Sequence, residues 1–235
     1  MIKFLKWDSE FFKKNLYGVE IDGAFQAFEL NKIFDEMRCL NANGGYIFFK
    51  QSNKPCQDAL KALDIPLIDE KITYEKILSA TNPIKSQDFI KPYHGSVTRS
   101  LINLSIEAGK YSRFKADKLL ADKFEELYTL WIKRSLCGLM DDAVLVFTEY
   151  GIQKGMVTLK IENNIGTIGL IGVDPLLQGQ GVGTELILAA ENYYITNNIL
   201  TSRVSTQVHN EAACRFYTKM GYTVQSVQPI YHVWF

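Results

Sequence analysis

Between Gly166 and Met220 stand the residues whose types and spacing offer chemistry: the loop Q-G-Q-G-V-G at 178–183, then Asn210 and Tyr217. Glycines at 179, 181 and 183, set between an apolar run and an amphipathic one, let several backbone N–H groups converge at the positive end of a helix. Such a loop is a cradle for an anion, most naturally a pyrophosphate. A triphosphatase loop needs Lys and Ser/Thr directly after its last glycine, whereas Gly183 is followed by Thr184 and Glu185. The dinucleotide fingerprint G-x-G-x-x-G fails as well, because Gly179, Gly181 and Gly183 give G-x-G-x-G. Nucleotide hydrolysis and hydride transfer both recede.

The run N-E-A-A-C-R-F-Y-T-K-M-G-Y at 210–222 reads as a helix, with Asn210 as its N-cap and Gly221 as the left-handed residue that ends it. Asn210 and Tyr217 lie two helical turns apart, about 10 Å along the axis, so one helix edge can touch an extended ligand twice. A plainer reading competes. Ala213, Phe216, Tyr217 and Met220 have the spacing of a buried stripe, and capping alone accounts for Asn210.

The two motifs in this order, Q-x-x-G-x-G after I-G-V-D-P and then N-x-x-A-x-x-x-Y-x-x-x-G-[FY], resemble the GNAT acetyltransferase superfamily, with Asn210, Ala213, Tyr217, Gly221 and Tyr222 matching. The resemblance implies an α/β fold with a central mixed, partly splayed sheet flanked by helices. It also implies acetyl-CoA as cosubstrate and no metal. By the same resemblance the backbone of Ile171 and Val173 pairs with the pantetheine arm, and Gly172 leaves room for close approach. Gln178, Gly179, Gln180, Gly181, Val182, Gly183 and Thr184 fall to the pyrophosphate, Asn210 to the pantetheine amides, and the Tyr217 hydroxyl to the sulfur as general acid. A phenol with an ordinary pKa near 10 stays protonated at neutral pH and can donate.

A narrower likeness, over roughly residues 97–235, rests on S-R-F at 112–114, L-Y-T-L-W at 127–131, R-V-S-T-Q-V-H-N at 203–210 and the aromatic C-terminal run. It is similar to acetyltransferases of nucleotide-linked amino-dideoxy sugars. That implies a small-molecule acceptor, a dTDP-linked sugar with a ring amine, used for surface polysaccharide. Arg113 is then the candidate diphosphate contact, against the plainer reading of a surface salt bridge. Glu107, His94 and His209 are candidates for a base by type only, and His232 and His94 have no partner spacing. Trp7, Phe11, Phe12, Tyr231, Trp234 and Phe235 read as core or interface residues sooner than as a stacking surface. Acetylation of a protein, peptide or small amine, and a non-catalytic CoA-binding module, are the alternatives.

Composition fits. The 235 residues are 47% hydrophobic, enough for one large or two modest cores. Lys plus Arg and Asp plus Glu both number 26, which leaves no global basic field for nucleic acid. Cys39, Cys56, Cys137 and Cys214 are far apart without zinc spacing and read as reduced, mostly core thiols. No signal-peptide core or membrane-length apolar run is present, so a cytoplasmic protein is expected; a homodimer is a candidate assembly that no motif specifies.

These residues need elements to hold them. We place an N-terminal α/β domain at 1–95 and a GNAT domain at 96–235, with the Ser/Pro/Asn-rich stretch 79–96 as linker. Helices are expected at 29–41, 55–63, 101–108, 117–136 and 183–194, and one after Asn210. Strands are expected at 18–21, 46–50, 72–78, 143–149, 155–161, 167–173 and 203–208, with two more at 223–227 and 231–235.

Overall fold

The computed structural model describes residues 2–22, 25–50, 53–79 and 89–235. Its strands are β1 (Ile2–Phe4), β2 (Leu16–Ile21), β3 (Gly44–Phe49), β4 (Leu67–Ile77), β5 (Ile90–Pro92), β6 (Ala143–Glu149), β7 (Ile152–Glu162), β8 (Ile165–Val173), β9 (Thr201–Gln207) and β10 (Thr223–Trp234). Its helices are α1 (Lys6–Phe12), α2 (Glu29–Cys39), α3 (Lys54–Ala62), α4 (Arg99–Gly109), α5 (Arg113–Ala116), α6 (Phe124–Leu136), α7 (Val182–Thr196) and α8 (Glu211–Lys219). The strands form one mixed sheet in the order β1-β2-β3-β10-β4-β9-β8-β7-β6-β5.

The antiparallel meander β6–β7–β8 follows from its alternation and its turns. Tyr150 and Gly151, then Asn163 and Asn164, all take positive φ (49°, 77°, 51°, 61°), the backbone that tight hairpins require. Alternation sorts side chains to two faces. Leu145, Val157, Leu159 and Ile168 join Leu186, Ile187, Ala190 and Tyr194 of α7 in one core. Val144, Val146, Met156 and Leu170 meet Leu101, Leu104, Phe124 and Ile132 of α4 and α6 in another. A third core packs α2 and α3 on β2 and β3 and takes in Tyr231 and Val233 of β10.

β1, α1, α5 and β5 were not expected, and two expected segments form differently. In place of the single helix at 117–136 stand a 3-10 turn at Ala121–Lys123 and α6, with the short α5 ending just before Asp117. Asp117 breaks it: its backbone is extended and its Oδ1 accepts the Leu119 N–H at 2.9 Å, a side-chain bond that competes with helix. The two final strands are one, β10, with register shifts at Val224/Ser226 and Ile230/Tyr231. Pro229 stands one residue before the pairing with β3 begins at Ile230↔Phe48, so its missing N–H removes nothing from that ladder.

The proposed boundary at residue 95 lies between β5 and α4. Across it, β10 pairs with both β3 and β4, β4 pairs with β9, and β5 pairs with β6. Residues 80–88 of the expected linker lie outside the described residues. Of the cysteines, Cys56 is buried and Cys214 packs partly buried against the core under α7, while Cys39 and Cys137 are exposed, so the expectation of mostly core thiols holds for two of the four.

Candidate active site

Strands β8 and β9 are parallel and paired at Gly166↔Ser202, Thr167↔Arg203 and Ile168↔Val204. Beyond these pairs β8 continues to Val173 while still held on its other edge by β7, and β9 continues to Gln207 beside β4. The parallel neighbours therefore part from Gly169 onward, and β8 turns an unpaired backbone edge into a cleft of about 830 Å³. Ile171 and Val173, expected on the pantetheine arm, line that cleft. Gly172 lines it too, but its lack of a side chain serves packing: a Cβ there would sit 2.4 Å from the Leu104 carbonyl oxygen of α4. The expected close approach is thus made by a helix backbone.

At the end of β8, Asp174 caps the following turn by accepting the Leu176 N–H at 3.0 Å and pairs with Lys154 Nζ at 2.7 Å, which fixes the entry to the glycine loop. Gly179 and Gly181 take φ of +79° and +91°, and a Cβ at either would meet nothing within 4 Å. Gly181 is the N-cap of α7. The loop therefore points open space at a helix N-terminus, where the first N–H groups lack helical partners. Gly179, Gly181, Gly183 and Thr184 line the cleft. Gln180 and Val182 do not reach it: the Gln180 N–H donates to Leu177 O at 3.3 Å, and Val182 is buried in the core under α7. Gln178 is at the cleft in an unforeseen way, its Nε2 donating to the Val173 carbonyl at 3.2 Å and to Glu107 Oε1 at 3.1 Å.

The opposite wall is α8. Asn210 Oδ1 caps it by accepting the Ala213 N–H at 3.3 Å, while its Nδ2 donates to Thr206 Oγ1 at 3.1 Å. Tyr217 is 4% exposed yet lines the cleft, with its ring 5.7 Å from Tyr74 and 5.5 Å from Phe216. Burial pushes its phenol well above the ordinary value, so the hydroxyl holds its proton. Tyr217 thus belongs to the buried stripe and also lines the cleft.

On the other face of the sheet the cleft meets α5. Arg113 is no surface salt bridge. Its guanidinium lies over the Tyr46 ring at 4.0 Å and the Phe114 ring at 4.2 Å, and Nη1 contacts His232 Nε2 at 3.0 Å. His232 Nδ1 contacts Asp117 Oδ2, which also accepts from Trp234 Nε1 at 3.1 Å. A guanidinium only donates and a carboxylate only accepts, so the imidazole carries its proton on Nδ1 and accepts from Arg113 on Nε2. Burial lowers the pKa of His232 and keeps it neutral. His232, read from sequence as partnerless, thus orients Arg113 across 119 residues of chain.

The other base candidates fare differently. Glu107 is engaged by Lys110 at 2.6 Å and by Gln178. His209 is exposed with its ring 5.7 Å from Tyr111. His94 is exposed next to β5, away from the cleft. Sequence reading passed over Asp69 and Lys71 of β4, which line the cleft beside Arg113. Among the described residues no group of three or more His, Cys, Asp and Glu side chains could hold a metal, and no helix is long and apolar enough to cross a membrane.

A mixed sheet that parts between two parallel strands, with a glycine loop at the mouth of the gap and a tyrosine on its wall, is the architecture that the GNAT resemblance implied. Residues 114–222 match the Acetyltransferase (GNAT) family, and with the acetyltransferase relatives this match supports an acetyl-CoA-dependent acyltransferase. It is 29% identical over 176 residues, 74% of this chain and 75% of the relative, to dTDP-fucosamine acetyltransferase of Escherichia coli O6:H1. It is 22% identical over 97% of its length, and 81% of the relative's, to the spore coat polysaccharide biosynthesis protein SpsD of Bacillus subtilis. Among solved structures, a functionally unknown conserved protein of Staphylococcus epidermidis superposes with a TM-score of 0.66 at 14% identity, over 93% of this chain and 84% of that one. A GCN5-related N-acetyltransferase of Sphaerobacter thermophilus gives 0.57 at 14% identity, over 92% and 72%.

Proposed function

We propose that the chain moves an acetyl group from acetyl-CoA to the ring amine of a dTDP-linked amino-dideoxy sugar, a step in making surface polysaccharide. In this reading the unpaired edge of β8 at Ile171 and Val173 takes the pantetheine arm. The N–H groups at Gly179, Gly181, Gly183 and Thr184 take the pyrophosphate, with Asn210 on the facing helix edge. Acetyl-CoA supplies the activated thioester, and the Tyr217 hydroxyl supplies the proton that the departing sulfur needs. The Gln178 side chain, now on the Val173 carbonyl, must give way to the arm.

The acceptor rests on one observation above all: Arg113, held between aromatic rings and aimed by His232, lines the same cleft as the glycine loop. A fixed guanidinium in an aromatic setting suits a phosphate-bearing small molecule. The likeness to dTDP-fucosamine acetyltransferase and SpsD points the same way. Thiol release with acetyl-CoA tests it against dTDP-amino sugars, free amino sugars and peptides. The dTDP conjugate should be the best acceptor, with a KM that rises with salt and in Arg113→Ala. Equal rates with the free sugar, or preference for a peptide, overturn the nucleotide-sugar reading and leave the acetyl-CoA site intact.

A further inference from the structure

Strand β4 carries Asp69, Lys71 and Thr73 on one face and Ile72 and Tyr74 on the other, where the latter two are core. Asp69 sits opposite Ile230 of β10, is 5% exposed, and lines the cleft on the same wall as Arg113. Among the described residues its Oδ1 is buried without any hydrogen-bond partner, although the Glu70 N–H and the Gln207 side chain favour the carboxylate as donors. A buried carboxylate oxygen left bare costs free energy unless something that binds there satisfies it. What satisfies it must donate, and an ammonium group donates while also meeting the charge.

We propose that Asp69 receives the acceptor's ammonium group and takes its proton before acetyl transfer. The inference rests on the cleft being the acceptor's place, whatever amine the acceptor carries. The first ammonium proton passes to Asp69, and the freed lone pair forms the C–N bond to the acetyl carbonyl carbon. The C–S bond breaks, and the sulfur takes the Tyr217 hydroxyl proton. The nitrogen's second proton restores that hydroxyl, and Asp69 releases its own to solvent. Burial pushes the Asp69 carboxyl up to about 6, so it is ionised at neutral pH and still basic enough to accept. The charged and titratable groups around it are Arg113 of α5, His209 before α8, Lys71 of its own strand and Tyr128 of α6. Arg113 and His209 favour the ionised form and oppose the burial.

Asp69→Asn keeps the shape and loses the basic oxygen. Acceptor kcat/KM should fall about 10²–10³-fold at pH 7 with the KM of acetyl-CoA unchanged. The wild-type acid limb of kcat/KM, centred near 6, should vanish in the variant. With CoA bound, calorimetry should find that wild type prefers a dTDP-amino sugar over the same sugar bearing hydroxyl, and that Asp69→Asn has lost this preference. A retained acid limb together with a retained amine preference overturns the proposal. The acetyl-CoA-dependent rise in Tm checks that the variant is folded. Should it not fold, Asp69→Glu must keep the limb at a reduced rate, and loss of the limb there counts against Asp69. If neither dTDP sugar binds wild type, the nucleotide-sugar reading falls, and the pH profiles are taken with the amine of the panel that releases thiol fastest.

Discussion

At the scale of residues, Tyr217 is the sharpest test of the proposed chemistry. Removing its hydroxyl leaves the ring among Tyr74, Phe216 and Tyr222, so packing survives. Tyr217→Phe should therefore bind acetyl-CoA within a few-fold of wild type and turn over about 10²–10⁴ times more slowly. Single-turnover rates check this, and a wild-type chemical step would make Tyr217 a core residue only. Tyr217 was legible because a helix repeats every 3.6 residues, so its spacing from Asn210 fixes a shared edge without knowledge of the rest of the fold. Asp69 and His232 were not legible. Each lies in a strand whose neighbours come from distant sequence, and what surrounds it is set by register: Ile230 and Gln207 flank β4 only because β10 and β9 lie on either side of it. The alternation in I-D-E-K-I-T does say that Asp69 shares a face with Lys71, but it cannot say that this face is a cleft.

At the scale of elements, the glycine loop and α7 act as one unit. Gly181 combines a left-handed φ of +91° with empty space where a Cβ would be. Gly181→Leu carries two separable costs. The backbone strain lowers stability by about 1–2 kcal/mol with or without ligand. The side chain also fills the space assigned to the pyrophosphate, so the stabilisation of about 2.7 kcal/mol expected at a hundredfold excess of acetyl-CoA over Kd should disappear. Thermal melts with and without acetyl-CoA distinguish the two, and an undiminished ligand shift would sink the cradle. The loop could be read from sequence because glycine punctuation is local. Gln180 and Val182 stand apart from the other loop residues, since the loop's own turn takes the first residue's N–H and the core takes the second's side chain. Where helix 117–136 breaks was hidden for a related reason: Asp117 suits a helix's first turn as well as it suits a cap, and here it is held by His232 and Trp234 from the far end of the chain.

At the scale of the whole molecule, the order of the sheet sets how the chain reaches its fold. Strand β10 follows every other strand in sequence, yet it lies between β3 and β4. Until it leaves the ribosome, β3 and β4 each present a bare edge, and β1–β3 cannot join the main sheet. A nascent chain of this protein is then a half-assembled object with two sticky margins, which favours mispairing with other chains and gives chaperones a reason to hold it. Chains stalled before residue 223 should be cut readily by protease within the first 79 residues, and chains stalled with 234 clear of the exit tunnel should resist. Resistance already present at the earlier stall would mean that the N-terminal strands close by themselves. For this protein β10 is the keystone, and closure of the sheet around the cleft waits until that strand has emerged.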